Sequence, residues 1–203
     1  MIRRIRSVTP RARSTDRRDD IVAAAYRCIA QDGYERTSTA QICSAAGVSS
    51  GTFFHHFPTK ISVLVAILQR DLERIRQLMN DIARHATRDA DGALALWTEY
   101  VIADASDSDL PGFVAALATV PDHHDVTSAL NAETELVHDT LVRIVSEGQR
   151  QKTMRVDRTA ASSALWLRIL SDGVLHHVVE HRPSTVTEHR HELLDAARRL
   201  VQP

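Results

Sequence analysis

The chain has 203 residues and a formal net charge of −1, and its seven Gly and six Pro are few beside its many Ala, Leu, Arg and Glu. So little turn punctuation among so many helix formers predicts an all-α protein, of a size for one large domain or a small one joined to a medium one. Its only cysteines, Cys28 and Cys43, exclude a disulfide framework and a paired-cysteine zinc site.

No apolar run approaches the ~20 residues that span a bilayer. The arginine-rich start, Met1 to Ala12, lacks the apolar core of a secretory signal. A cytoplasmic protein without membrane contact is the expectation. The charge is unevenly spread. Residues 1–60 hold ten Lys and Arg against five Asp and Glu, whereas residues 61–203 hold fifteen against twenty-one. A basic first part on an acidic remainder suggests that the first part meets a polyanion.

Residues 1–14 carry Arg3, Arg4, Arg6, Arg11 and Arg13 with little to bury, and read as a flexible basic arm. A first helix is predicted over 16–31, with Ile21, Ala24, Ala25, Cys28 and Ile29 in one apolar stripe. Asp16, Asp19 and Asp20 suit its N-terminal dipole, and Gly33 closes it. Ser38 with Gln41 forms a capping box and starts a short helix over 39–46, with Ile42 and Ala45 turned inward. Gly47 interrupts it, Val48 packs in the turn, and Ser49 caps a second short helix over 50–56 that Pro58 ends. Two short helices joined by a tight glycine turn, behind a longer one, describe a helix-turn-helix at about 38–57.

A fourth helix follows over 60–84, with Val63, Leu64, Ile67, Leu68, Leu72, Ile75 and Met79 along its apolar face. Further helices are expected near 91–105, 110–119, 125–151, 158–180 and 184–201, about nine in all. The stretch 158–180 is apolar around nearly its whole circumference, which predicts burial on all sides.

The run from Gly33 through Tyr34, Thr37, Ser38 and Gln41, then Ala46-Gly47-Val48-Ser49, Gly51-Thr52 and His56-Phe57-Pro58-Thr59-Lys60, closely resembles the DNA-binding domain of the TetR family of regulators. The resemblance covers about residues 15–75. It implies a three-helix DNA-binding domain at 15–75 and a helical ligand-sensing and dimerisation domain at 76–203. The expected function is a non-enzymatic transcriptional regulator, a repressor released from double-stranded operator DNA by a small-molecule inducer.

Ser50, Gly51 and Thr52 start the second short helix, the position from which a recognition helix reads base edges. Phe53 and Phe57 are expected to anchor that helix. Lys60, at a helix N-terminus, can meet a phosphate with both its charge and the helix dipole. By the resemblance, Thr37, Ser38, Phe54, His55, His56 and Lys60 touch the DNA backbone. Phe54 departs from the family's usual tyrosine, which removes a hydroxyl contact, and Cys43 replaces the usual alanine.

The resemblance also implies a homodimer through the helices near 158–180 and 184–201, whose two copies form a four-helix bundle. Candidates to line an inducer pocket are Trp97, Tyr100, Phe113, Leu117, His124, Val137, Leu141, Trp166 and Leu170. No cofactor is expected. Among eleven histidines, His177 with His181 and His85 with Asp89 share the i, i+4 spacing, but no third ligand accompanies either pair, so no metal site is expected. A metal sensor on the same scaffold is one alternative. An enzyme or binding protein without DNA contact is another, and it would require a convergent polar cluster in the C-terminal region; the sequence shows none.

Overall fold

In a computed structural model that describes residues 15–180 and 188–203, those residues form nine helices and no strand. The helices are α1 (Thr15–Asp32), α2 (Thr39–Ala46), α3 (Ser50–His56), α4 (Lys60–Ala86), α5 (Ala90–Ala105), α6 (Leu110–Leu117), α7 (His124–Gln151), α8 (Ala160–Glu180) and α9 (Arg190–Val201). The basic arm, the break at Pro183 and His181 lie outside the described residues, as does the start of the helix expected from 184.

Local chemistry places the first boundaries. Ser38 Oγ accepts from the Gln41 N–H at 3.2 Å and Gln41 Oε1 accepts from the Ser38 N–H, so the predicted capping box starts α2. Gly47 ends that helix at φ 64°, in the left-handed region open to glycine. Ser49 Oγ then accepts from the Thr52 N–H at 3.1 Å and starts α3. Thr59 and Ser62 repeat the reciprocal cap at the start of α4. In α2 the inward residues are Ile42 and Cys43, and Ala45 is exposed. At 100° per residue, Ala46 rather than Ala45 stays on the face that Ile42 and Cys43 define.

Two apolar clusters follow. The first joins α1, α2, α3 and the first turns of α4, with Ile21, Ile29, Ile42, Phe53 and Leu64 fully buried. It also takes in Phe113 and Ala116 of α6 and Val126 and Ala129 of α7. The second joins the rest of α4 with α5, α7, α8 and α9, around Trp97, Leu94, Leu141 and Leu167. Packing therefore does not divide the chain at residue 75: α6 and the start of α7 sit on the N-terminal cluster. The 27-residue α4 runs through both clusters. At 1.5 Å per residue it is a continuous rod of about 40 Å between them.

Polar clamps close the second cluster. Arg198 of α9 binds Asp91 of α5 through two nitrogens, at 3.1 and 2.6 Å, and Gln202 adds a third bond to the same carboxylate at 2.9 Å. Gln151 bridges the α4–α5 turn, donating to the Ala86 carbonyl and accepting from the Ala90 N–H.

Candidate nucleic-acid interface and internal cavity

The outer face of α3 projects from a tightly braced base. Phe53 and Phe57 are buried, while Ser50, Gly51, Phe54 and His55 are exposed. Thr52 is half-buried, and its hydroxyl pairs with Ser49 Oγ at 2.9 Å, which fixes its rotamer at the mouth of the helix. A methyl group added at Gly51 would meet only Ser49 Oγ, at 3.8 Å, so the position is open to close approach from outside. Phe54 leaves half of its surface in solvent (51%) with its edge against Phe53. The ring therefore belongs to the surface of the helix and not to the core. His56 is half-buried and stacks edge-on with His55.

Two expected backbone contacts are placed elsewhere. Lys60 Nζ donates to the carbonyls of Tyr34, Thr37 and Glu35 at 2.7, 3.0 and 3.3 Å, and it sits 4.3 Å from the centre of the Tyr34 ring. An ammonium has three donors, and all three close the α1–α2 loop rather than face outward. Thr37 is 1% exposed, and its hydroxyl donates to the Gly33 and Cys28 carbonyls at 2.8 and 3.1 Å. Both residues lock the loop that carries α2. Ser38 is exposed, with its hydroxyl engaged in the cap.

The charge of this region is also divided in an unexpected way. Over residues 15–60 five Lys and Arg face five Asp and Glu, so the whole basic excess lies in the five arginines of residues 1–14.

A cavity of about 120 Å³ lies among α5, α7 and α8. Of the expected lining residues, Trp97, Tyr100 and Val137 border it. The other six are placed elsewhere. Leu141 and Leu170 pack in the second cluster, and Phe113 and Leu117 pack against the first. His124 is exposed at the start of α7, and Trp166 is 48% exposed on the outer face of α8.

Several lining residues were not foreseen: Asp104, Glu133, Thr134, Arg168, Ser171 and Asp172. Arg74 of α4 reaches Asp104 at 3.6 Å while bonding Asp71 at 2.9 Å. Arg168 donates to the Thr134 carbonyl at 3.1 Å and stands 3.6 Å from Asp172. A convergent polar cluster does exist in the C-terminal region, therefore, assembled from four helices. Burial, then the neighbouring Asp71 and Asp104 charges, pushes Glu133 up to about 7. Burial, then Asp71, pushes Asp104 up to about 6.

Among the described residues no three His, Cys, Asp or Glu side chains converge to hold a metal ion. His85 lies 3.7 Å from Asp89, and His176 lies 3.3 Å from Glu180, both on the surface. No helix among the described residues is long and apolar enough to cross a membrane.

Residues 21–67 match the family model described as "Bacterial regulatory proteins, tetR family". Over 75 residues, 37% of this chain, the sequence is 32% identical to the HTH-type transcriptional repressor AcnR of Corynebacterium glutamicum, and that match spans 40% of the relative's length. The fold is that of a solved TetR-family transcriptional regulator from Streptomyces coelicolor, with TM-score 0.76 and 21% identity over 93% of this chain and 97% of that one. The SmeT–triclosan complex gives TM-score 0.75 and 21% identity over 92% of both chains. At these identities the structures establish the fold alone.

Proposed function

We propose that this chain, whose residues 21–67 match the tetR family of bacterial regulatory proteins, is a cytoplasmic DNA-binding transcriptional repressor, acting as a homodimer and released from its operator by a small-molecule inducer. The observation that carries this reading is the open N-terminal face of α3, with Ser50, Gly51 and Phe54 exposed on a helix whose other side is anchored by Phe53 and Phe57. In this reading Ser50 and Thr52 meet base edges, Gly51 admits the backbone of the helix to the groove, and Ser38, Phe54, His55 and His56 flank the sugar-phosphate walls. Lys60 and Thr37 contribute by holding α2 in place. The arginines of residues 1–14 supply the excess positive charge that neutralises phosphates.

Dimerisation through α8 and α9 is supported by an apolar face that the single chain leaves open. Leu165, Trp166 and Ile169 are 50%, 48% and 46% exposed and lie within about one turn. Gly173, a turn further on, has no atom within 4 Å of where a side chain would begin, which leaves room for a second helix. Ala164, Leu167, Leu170 and Val178 serve the chain's own core and Val174 and Leu175 border the cavity, so three separate demands account for most of the all-round hydrophobic pattern of α8.

The cavity suits the inducer. A relative of the same fold is solved with triclosan, and here the cavity abuts the element that joins the two clusters. Asp71 and Arg74 stand on α4 at its edge, ten or so residues along the rod from the helix-turn-helix. A second link is Tyr26 of α1, whose hydroxyl donates to Asp107 at 2.7 Å, one turn from Asp104. A ligand that displaces Asp104 or Arg74 can shift α4 and α1 and move the two recognition helices out of half-site register. The coupling is reciprocal, so ligand and DNA must oppose each other by the same factor.

Anisotropy titration of the chain against duplex from upstream of its own gene tests this reading. Specific binding that weakens steeply with salt is expected; binding no tighter than to random duplex would overturn it.

A further inference from the structure

The cavity holds more acid than base, and one of its acids is unmatched. Asp104, Glu133 and Asp172 line it beside Arg168, with Asp71 and Arg74 of α4 close behind. Both guanidiniums are already committed, Arg74 to Asp71 and Asp104, and Arg168 to Thr134 and Asp172. Among the described residues Glu133 makes no hydrogen bond or ion pair, although it is largely withdrawn from water. Trp97, 1% exposed, also lines the cavity, and its indole N–H has no acceptor. A largely withdrawn carboxylate without a hydrogen-bonding partner and a buried donor without an acceptor both carry a desolvation cost that a bound molecule can relieve.

We propose that this cavity binds a small organic cation, a protonated amine or amidine on a compact apolar body, with its charge against Glu133 and Asp104 and one acceptor atom for the Trp97 N–H. The inference rests on the reading of the cavity as the inducer site and names the chemical class of that inducer. A neutral guest would dry Glu133 further and offer it at most a hydrogen bond, with its charge uncompensated. An anion would add to a surplus of carboxylates whose two arginines are spent. A cation removes both penalties. Size limits the body. A dry cavity of about 150 Å³ holds a benzene ring, so the roughly 120 Å³ here limits the body to no more than one ring, with a short arm reaching toward the mouth at exposed Thr134 and Asp172.

The groups that face Glu133 and Asp104 set a pH signature. They are Asp71 and Arg74 from α4, Tyr100 from α5, Asp107 from the turn after it, and Arg168 from α8; Asp172 joins them on the cavity wall. With both carboxyls raised, a cation must displace protons from them at neutral pH and below. Its affinity therefore falls as pH drops through the window from about 7 to about 6.

Tyramine, tyrosol and 4-hydroxyphenylacetate share one phenolic skeleton and end in a cation, a neutral group and an anion. Calorimetric titration of the full chain with each is the test. Tyramine should bind at least about tenfold tighter than either analogue at about pH 8, with the advantage shrinking toward about pH 5.5. Glu133→Gln should remove most of that preference, and Asp104→Asn and the pH series on the native chain decide the matter should Glu133→Gln not fold. Equal or tighter binding of tyrosol or the anion overturns the proposal. So does a cation preference that survives Glu133→Gln, or the absence of binding by all three to a chain folded by circular dichroism.

DNA binding measured in parallel separates the two readings. A chain that holds its operator but ignores tyramine refutes only the ligand class. A chain that takes up tyramine without any change in DNA affinity refutes the cavity's role as the inducer site.

Discussion

Lys60 shows how packing adds a role that the residue type alone does not suggest. A lysine opening a helix beside a helix-turn-helix suits a phosphate, and nothing in the one-dimensional pattern shows that three carbonyls of the α1–α2 loop lie within 2.7–3.3 Å of its nitrogen. Lys60→Ala should therefore lower folding stability by about 2 kcal/mol or more, since even one hydrogen bond to a charged group contributes about 1.5–3 kcal/mol. Urea denaturation checks this; an unchanged midpoint with reduced DNA affinity would restore the phosphate role. Phe54 supports the opposite kind of prediction. Its ring is half in solvent, so Phe54→Tyr should leave stability unaltered. It should tighten DNA binding by about 0.5–1.5 kcal/mol, one added neutral hydrogen bond, as read by anisotropy. The capping residues Ser38, Gln41 and Ser49 were legible outright, because their bonds span three residues of chain.

At the scale of elements, short-range signals carried the helix boundaries and long-range packing carried the rest. Caps, glycines and the apolar stripe marked α1 to α4 to within two residues. The polar cavity could not be read in this way. Asp71, Asp104, Glu133, Arg168 and Asp172 are spread over four helices, and each alone looks like a solvated surface charge.

The junction of α6 with α1 was equally hidden. A side chain at Gly112 would come within 2.0 Å of the Ala30 carbonyl oxygen, which is backbone and cannot rotate away. Gly112→Ala should destabilise the fold by about 1–3 kcal/mol, the usual range for overpacking, and should weaken the opposition between ligand and DNA; thermal melts and a linked titration read the two effects. The raised carboxyls make a further prediction. A carboxyl whose folded value lies above its unfolded one holds more protons in the native state, so stability falls as pH rises between the two values. For Glu133 and Asp104 that window runs from about 4 to about 7. The ligand-free chain should lose stability across it, and Glu133→Gln should flatten part of the slope in denaturation curves taken at successive pH values.

For the whole molecule, two features lie beyond one folded chain. The apolar face of Leu165, Trp166 and Ile169 accounts for a helix that the sequence reads as buried all round although a single chain covers only part of it. Trp166→Glu should shift the protein from dimer to monomer in sedimentation velocity and abolish tight operator binding with it. The five arginines before residue 15 supply the basic excess that residues 15–60 lack. Removing residues 1–14 should reduce the slope of log affinity against log salt by up to about 4.5, at about 0.9 per phosphate.

The claim under all of these is that α3 reads duplex DNA twice, through a two-fold pair. Selection of binding sites from a random duplex pool, with the native chain and with Thr52→Ala in parallel, measures it directly. The account predicts enrichment of a near-palindromic site whose half-sites repeat at about 34–36 Å or a multiple of it, with altered bases at the position Thr52 reads in the variant. A native chain that enriches no site, or a variant that recovers the identical site, would contradict it.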